Sequence, residues 1–494
     1  MASKKQEYGN DSIEMLEGAA RVRKRPAVIF GSDGLEGCEH AVFEILSNSI
    51  DEAREGYGKR IVTTRYEDGS IEVQDFGRGV PVDFNEKQQR FNWELVFCEL
   101  YAGGKYNTNA GENYEFSLGL NGLGACATQY SSEYMDVEVR RDGYKYTLHF
   151  EKGENIGGLH KEPYAKKDTG TTIRWKPDLE VFTDIAVPLE YYEDILKRQA
   201  IVNPNLLFVL RTQNGRGFDT QEFIYENGIA DYVQEVAGDD ALTGVQVWSA
   251  ERRGRDRADK PEYKVKLNVA LCFSNRRNMQ EYYHNSSWLE HGGSPEKAVR
   301  SAFVSQIDAY LKQNGRYLKN ESKISFQDVQ DCLILVSSSL STQTSYENQT
   351  KKAINNKFIQ EAMTDFLRHH LEVYFLENKV EADKLTEQVL INKHIDKMDI
   401  DAQIKKNLEK RDAKLRKQGI DPAKLNNYAN MSTRNVKTSS APAATKAKAP
   451  SMTQEQKEEA MRKATEYYNK NAAKPGSLAS KANMVRDYNE KNNK

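Results

Sequence analysis

A chain of 494 residues is long enough for two or three domains with well-buried cores. Its net charge of -2 excludes a global electrostatic footprint for nucleic acid, so any such contact has to be local. No apolar stretch approaches the ~20 residues of a membrane span, and the opening MASKKQEYGNDS lacks a secretory core, so a soluble cytoplasmic protein with no membrane association is expected. The five cysteines stand singly at 38, 98, 126, 272 and 332, and the eight histidines show no HExxH spacing; neither structural zinc nor a disulfide framework is expected.

Residues 1 to about 219 mix helical and strand patterns. In HAVFEILSNSIDEAREG (40–56), Val42, Ile45, Leu46 and Ile50 recur at helical spacing. RIVTTRYE and SIEVQDFG follow as short strands, and MDVEVRRDGYKYTLHFEKG predicts a hairpin turned at Asp142-Gly143. TTIRWKPD adds a strand, and PLEYYEDILKRQAIVNPN predicts a helix that stops before Asn203-Pro204. From near Gln221 the strands KVKLNVALCFS and CLILVSSSL, with the helix SPEKAVRSAFVSQIDAYLKQ between them, predict a small separate α/β domain. A long helix through NNKFIQEAMTDFLRHHLEVYFLEN closes it. Residues 396–432 read as a charged helical extension, and 433–494 as a basic, largely disordered tail with an excess of about seven positive charges.

Four local patterns carry chemistry. Glu44, Asn48 and Glu52 lie at i, i+4 and i+8, on one helical stripe. That is the pattern of a solvated face, and equally of a base set beside a Mg²⁺-binding amide. Asp75-Phe-Gly77-Arg-Gly79-Val-Pro81 is either an ordinary turn or a carboxylate that accepts from an amino group, with glycines admitting a flat ring. Gly103-Gly-Lys105, then Gly119-Leu-Asn121-Gly122-Leu-Gly124 ahead of the helix ACATQY, can wrap phosphates through backbone N–H groups. No βαβ unit surrounds this loop, which excludes the dinucleotide fingerprint. Gly170-Thr171 opens a strand and means little alone.

In order, ExxxNxxDE, DxGxGxP, GGK…GxxGxG and GT resemble the four motifs of the GHKL ATPases. Within that group the chain resembles the ATPase subunit of type IIA DNA topoisomerases (gyrase B and topoisomerase IV ParE). RVRKRPAVIFGSDG, LYAGGKY, LEHGGSPEKAVRSAF and Gln349-Thr350-Lys351 carry the likeness across about residues 8 to 395. The resemblance implies an α+β fold: a GHKL (Bergerat) ATPase sandwich with a dimerisation arm over 1–219, then a ribosomal-S5-like α/β transducer domain over 220–395. It implies ATP and Mg²⁺ as cofactors, a homodimer closing when ATP binds, DNA as the object of the clamp, and a gyrase A- or ParC-like partner.

Residue by residue, the resemblance makes Glu44 the general base and Asn48 the Mg²⁺ ligand. Asp75, helped by Thr171, reads adenine, with Gly77 and Gly79 beside it. Gly119, Asn121, Gly122, Gly124 and Lys105 hold phosphates, Gln349 reaches back to the nucleotide, and Lys351 meets the γ-phosphate. Tyr8 resembles the arm tyrosine that enters the partner's site. Such a set suffices for slow hydrolysis, because phosphoryl transfer demands positioning and charge neutralisation above all.

Several features depart from the family. Asn121 stands where the family commonly has His, and NRRNMQEYYHNSSW is longer and more aromatic than usual, leaving its residues unassigned. Arg252, Arg253, Arg255 and Arg257 read as a basic hairpin loop, either a solvated turn or a contact for DNA. No Toprim domain is recognised; Asp399-Ile-Asp401 has the DxD spacing without its glycine-rich context. A non-cleaving accessory protein that binds ATP, and DNA or a topoisomerase partner, is the alternative reading.

Overall fold

The computed structural model describes residues 15–103, 116–118, 122–347 and 351–395. The predicted extension 396–432, the tail, and Tyr8, Lys105, Gly119, Asn121, Gln349, Asp399 and Asp401 lie outside them. The chain divides into two compact units, one of Met1–Cys272, Met279–Ser301 and Ile334–His370, the other of Phe273–Asn278, Ala302–Leu333 and Leu371–Lys494.

The first unit opens with short helical turns α1 (Ala20–Arg23) and α2 (Ala27–Phe30), then the long helix α3 (Leu35–Arg54). Strands β1 (Arg60–Arg65) and β2 (Ile71–Asp75), a small ribbon β3 (Phe84–Asn85) and β4 (Arg90–Phe91), and helices α4 (Asn92–Cys98) and α5 (Gly124–Tyr130) follow. Next come β5 (Ser132–Arg141), β6 (Tyr144–Glu151), β7 (Glu154–Pro163), β8 (Gly170–Pro177), α6 (Leu189–Val202), β9 (Leu207–Asn214) and β10 (Gly217–Phe223). Eight of these strands form one sheet in the order β10-β9-β1-β2-β8-β5-β6-β7. Only the β1–β9 pair in it is parallel.

The sheet buries one face, so β2 and β8 alternate between buried and half-buried residues, as the sequence alternation predicts. Against that face α3 buries Ala41, Val42, Ile45, Leu46 and Ile50, which join Val73, Met135, Val137 and Ile173 in one core. The β5–β6 hairpin turns at Asp142 (φ 53°) and Gly143 (φ 78°), the two left-handed positions of a type I′ turn.

A second sheet is built by β11 (Gln246–Gly254), β12 (Tyr263–Phe273), β13 (Met279–His284), β14 (Ser287–Trp288) and β15 (Leu333–Ser341), in the order β11-β12-β15-β13-β14. Helix α7 (Ile229–Ala237) buries Ile229, Val233 and Ala237 with Ala270, Cys272, Tyr283, Ile334 and Val336 of this sheet. The arginine cluster is not one loop: Arg252 and Arg253 belong to β11, because the antiparallel pairing with β12 continues through them opposite Val265 and Lys264. Arg255 and Arg257 do sit in the connection, paired with Glu262 and Asp259. The unassigned segment resolves into β13, a two-residue turn at Asn285-Ser286, and β14.

Helices α8 (Ser294–Gln313) and α10 (Lys357–Glu377) complete the described elements, and the second unit holds α9 (Phe326–Gln330) and a helical run over 379–395. In that second unit Ser325 and Asp328 form a capping box on α9, and Asn392 donates to the Asp328 carbonyl at 2.9 Å. Phe303, Ile307, Leu311, Leu371 and Leu385 are all fully buried there.

One glycine decides how closely β8 meets β2. Gly170 has φ 145°, and a Cβ there would stand 2.2 Å from the Asp75 carbonyl oxygen. Gly170→Ala is expected to cost about 3 kcal/mol through strain and overlap. Urea unfolding followed by tryptophan fluorescence checks this through buried Trp175 on the same strand.

Candidate functional site

Helix α3 presents the polar stripe foreseen from its spacing, and that stripe does not face solvent. Glu44 is only 7% exposed and lines a cavity of about 740 Å³, together with Asn48, Asp75, Gly79, Gly122, Gly124, Thr171 and Lys351. Gly77 stands behind Asp75 rather than in the wall, donating its N–H to Asp75 Oδ1 at 3.0 Å.

In the cavity wall Asp75 ends β2 in a buried position. Its Oδ1 accepts from the N–H groups of Gly77 and Thr171 (3.0 and 3.1 Å), and its Oδ2 from the Ser49 hydroxyl (3.2 Å). Burial pushes this carboxyl above its ordinary value, and those three donors oppose the rise. Thr171 also receives the Val80 N–H on its hydroxyl at 3.1 Å, tying β8 to the DFGRGVP turn. The cavity's apolar walls come from Ile45, Val73, Val96 and Ile173. A flat ring with an exocyclic N–H donor fits beside Asp75.

The same cavity holds a buried ion pair. Lys351 Nζ lies 3.3 Å from Glu44 Oε1 and donates to the Leu118 carbonyl at 3.1 Å. His40, one turn before Glu44, sets its Nε2 3.3 Å from the same carboxylate oxygen. Burial alone would raise the Glu44 carboxyl, yet the Lys351 ammonium and His40 hold it well below its usual range. Burial alone would likewise lower Lys351, and Glu44 keeps it raised and charged. Gly124 admits this geometry: a Cβ there would come within 2.2 Å of Glu44 Oε2.

Sequence reasoning missed three supports of the site. His40 carried a signal, the same i, i+4 spacing that marked Asn48. Asp51 sits inside the quoted ExxxNxxDE motif, and its carboxylate accepts from Ser117 Oγ (2.6 Å) and the Leu118 N–H (2.7 Å). It thereby fixes the carbonyl that Lys351 uses. Arg78 makes a forked pair with Glu52 (2.7 and 3.0 Å) and lies over the Tyr57 ring at 3.9 Å.

The donor set fits a magnesium that arrives with a phosphate ligand. Asn48 Nδ2 donates to the Glu44 carbonyl at 3.2 Å, which identifies the other end of the amide as oxygen, a hard ligand. Among the described residues no group of three or more His, Cys, Asp or Glu side chains could hold a metal by itself. Magnesium suits such a place because it keeps waters and phosphate oxygens in its shell.

Residues 228–404 match the family model described as DNA gyrase B. The DNA gyrase B protein of Mycoplasmoides gallisepticum is 30% identical over 392 residues, 78% of this chain and 59% of the relative. Its Thermotoga maritima counterpart is 31% identical over 75% of this chain and 57% of its own length. That of Metamycoplasma hominis is 31% identical over 85% of this chain and 63% of its length. The chain thus spans about three-fifths of the length of these curated relatives. Among solved structures, the 43K ATPase domain of Thermus thermophilus gyrase B superposes with a TM-score of 0.57 at 25% identity, covering 76% of this chain and 94% of that one. The topoisomerase IV ATP-binding domain of Francisella tularensis gives the same score and identity, covering 76% and 96%.

Removing one partner of a buried pair leaves an uncompensated charge, so Lys351→Met is expected to lower stability by about 3–5 kcal/mol near neutral pH. In the unsubstituted protein the depressed Glu44 contributes stability above the ordinary carboxylate range and loses it as pH falls toward the native value. In the variant burial prevails, and protonation relieves the stranded carboxylate. The deficit should therefore shrink on acidification, as denaturant midpoints measured across pH will report.

Proposed function

We propose, from its likeness to DNA gyrase B proteins, that the chain belongs to their family and binds and hydrolyses ATP in the Glu44–Asp75–Lys351 cavity to drive a dimeric clamp on DNA. The observation that carries the reading is one cavity lined both by a buried carboxylate facing a buried ammonium and by an acceptor carboxylate among apolar walls.

Asp75 accepts the adenine amino group, with Thr171 holding the carboxylate in place, while Gly77 and Gly79 keep the turn beside it open to the ring. The backbone at Gly122 and Gly124, with Gly119, Asn121 and Lys105 as the resemblance implies, receives the phosphates. Bound magnesium would neutralise phosphate charge, held by the Asn48 oxygen. Lys351 then exchanges Glu44 for the γ-phosphate, an anion with more charge to offer. Glu44, released from its ammonium, orients the attacking water and takes its proton. The γ-phosphate thus favours the state in which the Lys351 loop is drawn onto nucleotide, and hydrolysis withdraws that preference.

Kinship with gyrase B and topoisomerase IV extends the reading beyond this cavity. Two copies would close on ATP through their ATPase portions, the arm with Tyr8 and the Gln349-Thr350-Lys351 loop completing each site. DNA would be the object of the clamp, and its cleavage would need a gyrase A- or ParC-like partner.

The test is ATP turnover against protein concentration, for the wild type and for Glu44→Gln. The reading expects turnover that rises more than linearly with protein, and a loss of about 100-fold or more in Glu44→Gln with nucleotide still bound. Wild-type ATP binding without turnover would overturn the enzyme reading in favour of a non-cleaving accessory protein.

A further inference from the structure

The loop that delivers Lys351 is rooted on a buried polar cluster that the nucleotide site does not use. His284, at the end of β13, is fully buried. Its Nδ1 bonds Ser339 Oγ on β15 at 2.7 Å, and its Nε2 bonds Thr344 Oγ1 at 2.9 Å, with Ser341 Oγ at 3.3 Å. The neighbouring Asn285 grips the same residues: its Oδ1 accepts the Ser341 N–H (2.9 Å), and its Nδ2 donates to the Ser341 carbonyl (3.1 Å) and to Thr344 Oγ1 (3.2 Å). These contacts hold the point where β15 becomes the loop.

Two further observations make the cluster more than packing. Asn285 and Ser286 both have positive φ, 45° and 62°, though neither is glycine, so the turn that presents them is held against local preference. Ser286 is tied to Gln199 of α6 and to Asn203 just past its end, and Arg54 at the end of α3 reaches its hydroxyl at 3.4 Å. Lys351 itself is also left-handed, with φ 59°. A strained lysine persists only where its surroundings over-determine it. The other flank is indeed pinned: Ser345 N–H bonds Asn356 Oδ1 at 2.7 Å, Glu347 N–H the Ala353 carbonyl at 3.0 Å, and His291 N–H the Lys352 carbonyl at 3.0 Å.

We propose that the His284–Asn285 pair is a positioning device for Lys351, clamping Ser339, Ser341 and Thr344 so that the loop delivers the ammonium at the distance Glu44 requires. Burial pushes the His284 imidazole down to about 3, so the ring is neutral. One nitrogen then donates and the other accepts, which two hydroxyls can each match. The link to hydrolysis rests on the proposed role of Lys351; the clamp itself does not.

Thr344→Val nearly keeps the side-chain shape and removes the hydroxyl, whereas Thr344→Ser keeps the hydroxyl. In the nucleotide-free chain, acetylation of Lys351 read by mass spectrometry, with exposed Lys357 as internal reference, should quicken about fivefold in Thr344→Val, the scale of one lost hydrogen bond. Thr344→Ser should stay at the wild-type rate. Turnover should fall by a similar factor in Thr344→Val with ADP affinity unchanged, and Thr344→Val should add nothing in a Lys351→Ala background. Unchanged Lys351 labelling in Thr344→Val, equal quickening in Thr344→Ser, or a fully additive loss in the double variant would each overturn the proposal. A wild type that hydrolyses no ATP would remove the proposed function and leave the labelling result to decide the clamp.

Discussion

The site depends on two opposite charges held out of water within 3.3 Å of each other. Desolvating a carboxylate and an ammonium is costly, and their attraction repays it only when further hydrogen bonds satisfy both. The structure supplies supporting contacts from separate directions. His40 stands one turn back on α3, and Leu118 offers its carbonyl because Asp51 holds its N–H. Gly124 contributes by having no side chain where Glu44 Oε2 lies. A helix stripe, a loop end fixed by a carboxylate and a bare helix start are therefore one arrangement.

Such a pair is poised because it is buried. An ammonium in this position has two anions it could serve, the carboxylate already there and any phosphate that enters the cavity. Moving it from one to the other changes the carboxylate from a paired ion to a buried one seeking a proton, which is what a general base needs to be. The same low-dielectric surroundings that stabilise the pair raise the gain from exchanging its partner.

Much of this was legible because it is local. The 3.6-residue recurrence of Val42, Ile45, Leu46 and Ile50 marks α3, and Asp142-Gly143 marks the hairpin, since turn chemistry is written in two adjacent residues. The order of the four motifs placed Glu44, Asn48, Asp75 and Thr171 around one cavity although they stand on three different elements. What stayed hidden arises only from tertiary approach. Asn285-Ser286 lacks the Asn-Gly signature of its turn, and nothing in NRRNMQEYYHNSSW announces that His284 will meet hydroxyls 55 and 60 residues away. Arg252 and Arg253 read as loop because arginines at a sheet edge look like a turn until the partner strand is known.

The exchange of Lys351 between Glu44 and phosphate is tested most directly by titrating the Glu44 carboxyl itself. Difference infrared spectra of wild type against Glu44→Gln would be followed across pH, once with ADP and once with a non-hydrolysable ATP analogue. The account predicts a depressed value with ADP, as in the free chain, and a clear rise with the analogue as the ammonium turns to the γ-phosphate. A carboxyl that titrates identically with both ligands would contradict it.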